Sequence, residues 1–179
     1  MGKRSNFERV PRDFYPTPRA AVSPLVEHLP DHFTFTEPCA GDGRLIDHLK
    51  EVGGFCADAY DIEPRREDVR KKDYTEVVPR GDLVITNPPW DRKILHPMIT
   101  HFVLEREKPT WLLFDADWVH TKQSAEFTPY LKKIVSIGRV KWIEGSSSVG
   151  KDNCCWYLFD KSENNGIMFY RQTDGHSLL

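Results

Sequence analysis

An apolar run, Leu83-Val84-Ile85-Thr86, is cut off by Asn87-Pro88-Pro89-Trp90. A short apolar run bounded by turn residues reads as a buried strand. Two consecutive prolines lack the N–H donors to extend it. The strand therefore ends near Thr86, with an amide, two prolines and an indole at its carboxyl edge. In open α/β folds that edge is where ligands bind. The surrounding pattern predicts helices near 18–29, 43–52, 64–70, 93–106 and 121–132. Strands are predicted at 33–37, 55–61, 73–77, 82–86, 110–115, 134–143 and 154–160, with a short final strand over 167–171. Strands and helices alternating through short connections argue for an α/β fold with a doubly wound, mostly parallel sheet. The last two long strands can pair as an antiparallel hairpin across 144–153. No repeat, low-complexity stretch or linker divides residues 1–179, so a single domain is expected.

The groups at the end of the 82–86 strand suit methylation of a planar exocyclic amine. The Asn87 side-chain oxygen and the Pro88 carbonyl can accept the two amine hydrogens, and Pro88 and Pro89 stiffen the backbone between them. Trp90 offers a stacking face worth roughly 1–3 kcal/mol per base. Pro-Pro after a strand is also an ordinary chain stop, so the upstream sequence decides.

Upstream, Glu37-Pro38-Cys39-Ala40-Gly41-Asp42-Gly43 joins a strand to a helix. Gly41 and Gly43 permit positive φ and close backbone approach. The stretch lacks the phosphate-loop and dinucleotide fingerprints. Glu37 and Asp42 would repel a pyrophosphate and suit a ligand with a cationic ammonium and sulfonium. A second strand ends in Asp61-Ile62, and an acid there commonly takes ribose hydroxyls. Asp73-Tyr74 follows the basic stretch Arg70-Lys71-Lys72, and in solvent Asp73 would be a plain turn residue. Before the first helix lies Asp13-Phe14-Tyr15-Pro16-Thr17-Pro18. Thr17 reads as an N-cap with Pro18 at the first helical position; its hydroxyl and the nearby amides also suit an anion.

Taken in order, from Asp13 to Phe159, these elements resemble the class I adenine-N6 methyltransferases, in particular the compact phage and prophage type. The paired motifs Glu37-Pro-Cys-Ala-Gly-Asp-Gly and Asn87-Pro-Pro-Trp carry the resemblance. It implies a Rossmann-like fold with a reversed late strand, S-adenosylmethionine as cofactor, and methyl transfer to the N6 amine of adenine in DNA. It implies that Tyr15 and Thr17 contact the methionine carboxylate, and that Asp73 meets the adenine amine of the cofactor. Glu37, Cys39, Ala40, Gly41, Gly43, Asp61, Ile62, Tyr74 and Asn87 complete the cofactor side. Asn87, Pro88, Pro89 and Trp90 form the catalytic loop. RNA adenine, cytosine N4 and protein glutamine are rival targets of the same chemistry, and a catalytically idle cofactor-binding subunit is a rival of another class. Cytosine-C5 methylation is disfavoured, because it needs a cysteine nucleophile in the base pocket.

The net charge of −2 does not announce a nucleic-acid protein. Basic residues nonetheless cluster, at Lys3, Arg4, Arg9 and Arg12, at 65–72, and at Lys132-Lys133 with Arg139 and Lys141. Arg92-Lys93 directly follows the base loop and is placed for phosphates flanking a target. In the 145–153 loop, Lys151 and Asn153 are candidates for phosphate and base contacts. Trp118 could wall the base site or sit in the core. Larger members of the family carry a separate target-recognition domain, and nothing here is long enough to be one. Recognition is then loop-borne, or a partner protein supplies it, or the DNA is single-stranded rather than double-stranded. Cys39, Cys56, Cys154 and Cys155 show no metal-ligand spacing, and reduced cysteines point to a cytoplasmic protein. No segment reads as a secretory signal or a membrane span.

Overall fold

The computed structural model describes residues 14–143, 150–162 and 165–171. Helices α1 (Arg19–Val26), α2 (Arg44–Lys50) and α3 (Arg92–Ile99) pack on a sheet of eight strands. The strands are β1 (Phe33–Glu37), β2 (Gly54–Asp61), β3 (Arg70–Lys71), β4 (Leu83–Thr86), β5 (Thr110–Asp115), β6 (Leu131–Arg139), β7 (Asn153–Phe159) and β8 (Met168–Tyr170). Their order is β3-β2-β1-β4-β5-β7-β6-β8. Every pairing is parallel except those of β7, which runs against both β5 and β6. This is a doubly wound, Rossmann-like sheet with a reversed late strand.

The sheet separates two apolar cores. Leu25, Phe35, Ile46, Leu49, Ile85, Trp111 and Trp156 fill one, under α1 and α2. Val84, Met98, Phe102, Leu112, Phe114, Trp118 and Tyr157 fill the other, under α3. Alternation along β4 and β5 sends successive residues to opposite cores, as the strand period requires. A buried carboxylate ties one half of the sheet together: Asp58 on β2 accepts hydrogen bonds from Thr36 on β1, Tyr60, Arg70 on β3, and Arg80.

Register between β1 and β4 depends on Gly81. Its N–H donates to Thr36 Oγ1 at 3.1 Å. A Cβ at Gly81 would lie 2.4 Å from the Phe35 carbonyl carbon. Only glycine lets the chain enter β4 this close to β1, pairing Phe35 with Leu83 and Thr36 with Val84.

Three predicted elements differ in kind and two in extent or continuation. The 64–70 helix is absent; turns there lead into β3, because Arg66 reaches away to Gly43 O (3.0 Å) and Asp47 (2.9 Å). The 73–77 strand is a 3₁₀ turn at Tyr74–Glu76, started by Asp73, whose carboxylate accepts from Thr75 N at 2.9 Å. In place of the 121–132 helix stand two 3₁₀ turns, Lys122–Glu126 and Thr128–Tyr130, after a third at Ala116–His120. Thr121, Ser124 and Thr128 hydroxyls donate to local carbonyls there, which competes with a regular helix. The predicted 134–143 strand runs instead from Leu131 to Arg139. The predicted 93–106 helix is α3 continued by a π turn at Thr100–Glu105.

Candidate active site

The strand order changes direction between β1 and β4, which opens a crevice at their carboxyl ends. A cavity of about 840 Å³ lies there. Its wall takes residues from five places: the 14–17 segment, the loop after β1, the end of β2, the turn at 73–75, and the loop after β4. Tyr15, Thr17, Glu37, Cys39, Ala40, Gly41, Asp61, Ile62, Asp73, Tyr74, Asn87 and Pro89 all line it.

The glycine loop has the backbone its sequence requires. Gly41 and Gly43 have φ of 53° and 77°. A Cβ on Gly41 would lie 2.7 Å from Phe14, so the loop and the 14–17 segment close on each other here. Gly43 is the exception among the expected contacts. It does not line the cavity; it caps α2 from the left-handed region, with the Arg66 guanidinium packed against it.

Asp61 fixes the loop from below. Its two carboxylate oxygens accept from Gly41 N at 2.8 Å and from Glu63 N at 2.7 Å. A carboxylate has about four acceptor positions, so it keeps capacity for ligand hydroxyls. Glu37 is 1% exposed, and only its Oε1 is engaged, by Cys39 N at 3.1 Å. Oε2 and the nearby Thr86 hydroxyl face each other without a full hydrogen bond, and neither has another partner. Burial pushes the Glu37 carboxyl up to about 8, more than Thr86 and the Cys39 amide pull it down. Ile62, at the end of β2, leaves 51% of its surface open as an apolar wall. An orphaned buried acceptor, a carboxylate with spare lone pairs and an apolar face fit the ammonium, ribose and base of S-adenosylmethionine.

Thr17 does not act as an N-cap. α1 begins at Arg19, and its N-cap residue Pro18 offers no side-chain cap. The buried Thr17 hydroxyl instead accepts from Asn87 Nδ2 at 3.2 Å, and Tyr15 O accepts from the same nitrogen at 3.4 Å. Both amide hydrogens of Asn87 are thereby spent. Its Oδ1 accepts from Trp90 Nε1 at 3.3 Å and keeps one lone pair. The amide that the sequence places beside a target amine is thus held in one orientation by the cofactor-side segment.

Pro88 is buried behind the loop, and neither it nor Trp90 lines the cavity. The Trp90 ring stands edge-on to Trp142, with centroids 5.8 Å apart at 85°. Trp118 belongs to the core: it is 1% exposed, and its indole donates to His96 Nε2 at 3.0 Å. Arg92 and Lys93 open α3 beside the loop. Arg92 donates to Gln123 Oε1 at 3.3 Å, and the exposed Lys93 side chain follows the Asp91 cap. Asn153 pairs with Arg139 at the same edge of the sheet, and Lys151 precedes it, exposed. The basic group at Lys3, Arg4, Arg9 and Arg12, and the 145–149 part of the hairpin loop, lie outside the described residues.

Sequence reasoning missed Phe14, Arg65 and Asp91 as wall residues, and Trp142 altogether. The Arg65 guanidinium lies 3.4 Å above the Phe14 ring, closing one rim. The only local sign of this was Arg65 falling four residues after Asp61. Among the described residues, no group of three or more His, Cys, Asp or Glu is placed to hold a metal ion, and no helix is long and apolar enough to cross a membrane.

The strand order and the reversed β7 are those of the Rossmann-like class I methyltransferase fold. Comparison with solved structures agrees. PH1948 from Pyrococcus horikoshii superposes with a TM-score of 0.55 at 19% identity, over 88% of this chain and 93% of that one. A dimethyladenosine transferase from Plasmodium falciparum gives 0.55 at 14% identity, over 82% and 62%. The 23S rRNA methyltransferase ErmE gives 0.55 at 13% identity, over 84% and 71%. No family model and no curated protein sequence matches the chain.

Proposed function

We propose that this protein transfers a methyl group from S-adenosylmethionine to the N6 amine of adenine in DNA. The observation that carries the reading is Asn87. Asn87 lines the cavity, its amide nitrogen is tied to the cofactor-side segment, and its oxygen retains an acceptor position. Bound S-adenosylmethionine would supply an electrophilic methyl group on a sulfonium. Glu37 and Asp61 would hold its ammonium and ribose, while Ile62, Pro89 and Ile94 give apolar surface for its base. Asn87 Oδ1 and the Pro88 carbonyl would accept the hydrogens of the target amine. Those bonds draw electron density toward a nitrogen whose lone pair is otherwise delocalised into the ring. With the acceptors fixed beforehand, positioning and electrostatics supply most of the rate. In duplex DNA the base must leave the stack, at a cost of a few kcal/mol, which stacking on Trp90 would offset.

RNA adenine is the second reading. What favours it is that two of the neighbours in fold are a dimethyladenosine transferase and a 23S rRNA methyltransferase. Asn87-Pro88-Pro89-Trp90 is compatible with either nucleic acid, and with a partner protein that supplies recognition. One experiment separates them. The protein is incubated with labelled cofactor and with single-stranded DNA, duplex DNA and RNA oligomers, and the nucleosides are analysed by mass. N6-methyladenine in DNA is expected. Label only in RNA, in cytosine or in protein overturns the reading.

A further inference from the structure

Trp142 has no role in the chemistry above, yet three observations place it beside the target side of the site. Its ring is perpendicular to that of Trp90 at 5.8 Å. It also meets the Tyr15 ring at 6.5 Å, and Tyr15 O is one of the two anchors of the Asn87 amide. Two residues before Trp142, Val140 O accepts from Gly150 N at 2.9 Å. A Cβ on Gly150 would lie 3.2 Å from Trp142 Cδ1, so the indole fits tightly against Gly150. Trp142 is half-buried against the α1-side core, which makes it a fixed object and not a surface side chain.

The consequence is a chain of contacts with one free end. Tyr15 and Thr17 orient the Asn87 amide, Asn87 Oδ1 receives the Trp90 indole N–H, and Trp142 braces the Trp90 ring from the side. Trp90 is partly buried against both cores, and its single hydrogen bond still leaves the ring a tilt about that bond. A second ring set edge-to-face removes that tilt, and such pairs contribute beyond the area they bury. The one direction left open on Asn87 Oδ1 is then the direction of the incoming amine.

We propose that Trp142 is a positioning residue for the target base: by fixing the plane of Trp90 it sets both the stacking face and the remaining acceptor direction of Asn87. The inference rests on the base-methylation reading of this site. Trp142 meets the Tyr15 ring of the cofactor-side segment as well as the Trp90 ring, so cofactor affinity is measured beside methyl transfer.

The test compares Trp142→Ala and Trp142→Phe with the parent. In ¹⁵N-tryptophan-labelled protein, Trp90→Phe assigns the Trp90 indole signal. Trp142→Ala is expected to move that signal and to speed its exchange with water, and Trp142→Phe to keep it near the parent position. Methyl transfer by Trp142→Ala should fall by between about 10- and 100-fold, the scale of a misplacement of roughly 1 Å. Trp142→Phe should recover most of it. Cofactor affinity by calorimetry should stay within about twofold in a protein still able to preorganise its site. An unmoved Trp90 signal overturns the proposal whether or not the parent methylates anything. A moved signal with unchanged transfer by an active parent overturns it too. A parent inactive on every nucleic acid, by contrast, overturns the base-methylation reading and the proposal with it.

Discussion

The Thr17 hydroxyl accepts a hydrogen bond from Asn87 Nδ2 at 3.2 Å, across 70 residues of chain. Thr17 sits ahead of α1, in the segment assigned to the cofactor, and Asn87 at the end of β4, in the loop assigned to the target. Under the proposed function, a single contact joins the two halves of the reaction. Removing the threonine hydroxyl should disturb both.

Thr17→Val and Asn87→Ala should differ in a readable way. Asn87→Ala removes the acceptor for the target amine, so turnover should fall by about 100-fold or more, the scale seen for deleting one preorganised polar contact to a reacting group. Thr17→Val keeps the Asn87 oxygen but frees its amide, and turnover should fall less. Cofactor affinity should weaken by about 1 kcal/mol in each, the worth of one neutral hydrogen bond. Steady-state kinetics with direct calorimetry checks this. Equal turnover in parent and Asn87→Ala would remove the residue from the chemistry.

Glu37 predicts a pH dependence with a definite sign. Burial raises its carboxyl from 4.5 to about 8. Between those values the folded protein holds a proton that the unfolded chain has released. Stability from this group is therefore complete at or below pH 4.5 and is lost as pH rises toward 8. Glu37→Gln should flatten that decline, as followed by melting temperature between about pH 5 and 8. A cation bound beside Glu37 favours the carboxylate, so cofactor binding near neutral pH should release a proton. Calorimetry in two buffers of different ionisation enthalpy measures the release, and Glu37→Gln should abolish it.

Asp61 carries the glycine loop as well as the expected ribose contact. Asp61→Ala leaves Gly41 N and Glu63 N without their acceptor, and should cost roughly 1.5–3 kcal/mol of cofactor binding, the worth of a hydrogen bond to a charged group. Asp61→Asn keeps one acceptor oxygen and should cost less. Both are read by calorimetry, with melting temperature as the control for loop collapse. Binding by Asp61→Ala at parental strength would remove the residue from the cofactor site.

Arg92 and Lys93 open α3 beside the Asn87 loop, and under the proposed function they would meet phosphates flanking the target. Arg92→Ala and Lys93→Ala should weaken nucleic-acid binding across sequences and leave cofactor affinity alone. Each should reduce the slope of log affinity against log salt by about 0.7–0.9, the amount one neutralised phosphate contributes. A titration by fluorescence anisotropy from 50 to 200 mM salt, roughly the range over which such binding fades, reads the slope directly. An unchanged slope would take these side chains off the nucleic-acid path.

The strand ends are legible because apolar runs stop at polar or proline residues, and Glu37, Asp61 and Asn87 mark three of those stops. Their convergence on one cavity follows from the strand order, which right-handed crossovers impose. Elsewhere, tertiary contacts override local preference. Residues 64–70 carry helix-forming charges, but Arg66 is drawn to Asp47 and the Gly43 carbonyl. Local pattern puts Asp73 at the start of a strand, whereas its side chain caps a turn. The Asn87–Thr17 bond and the Trp90–Trp142 contact join residues far apart in sequence, and no periodicity encodes them.

Gly81 touches neither the cavity nor any proposed ligand contact, yet it fixes how closely β4 begins beside β1. Asn87 lies just past the other end of the same strand. A larger side chain at Gly81 would push the whole strand outward and carry the amide with it. In a mutational survey scored by methyl transfer alone, this glycine would rank among the active-site residues; scored by cofactor or nucleic-acid footprint, it would vanish from the map.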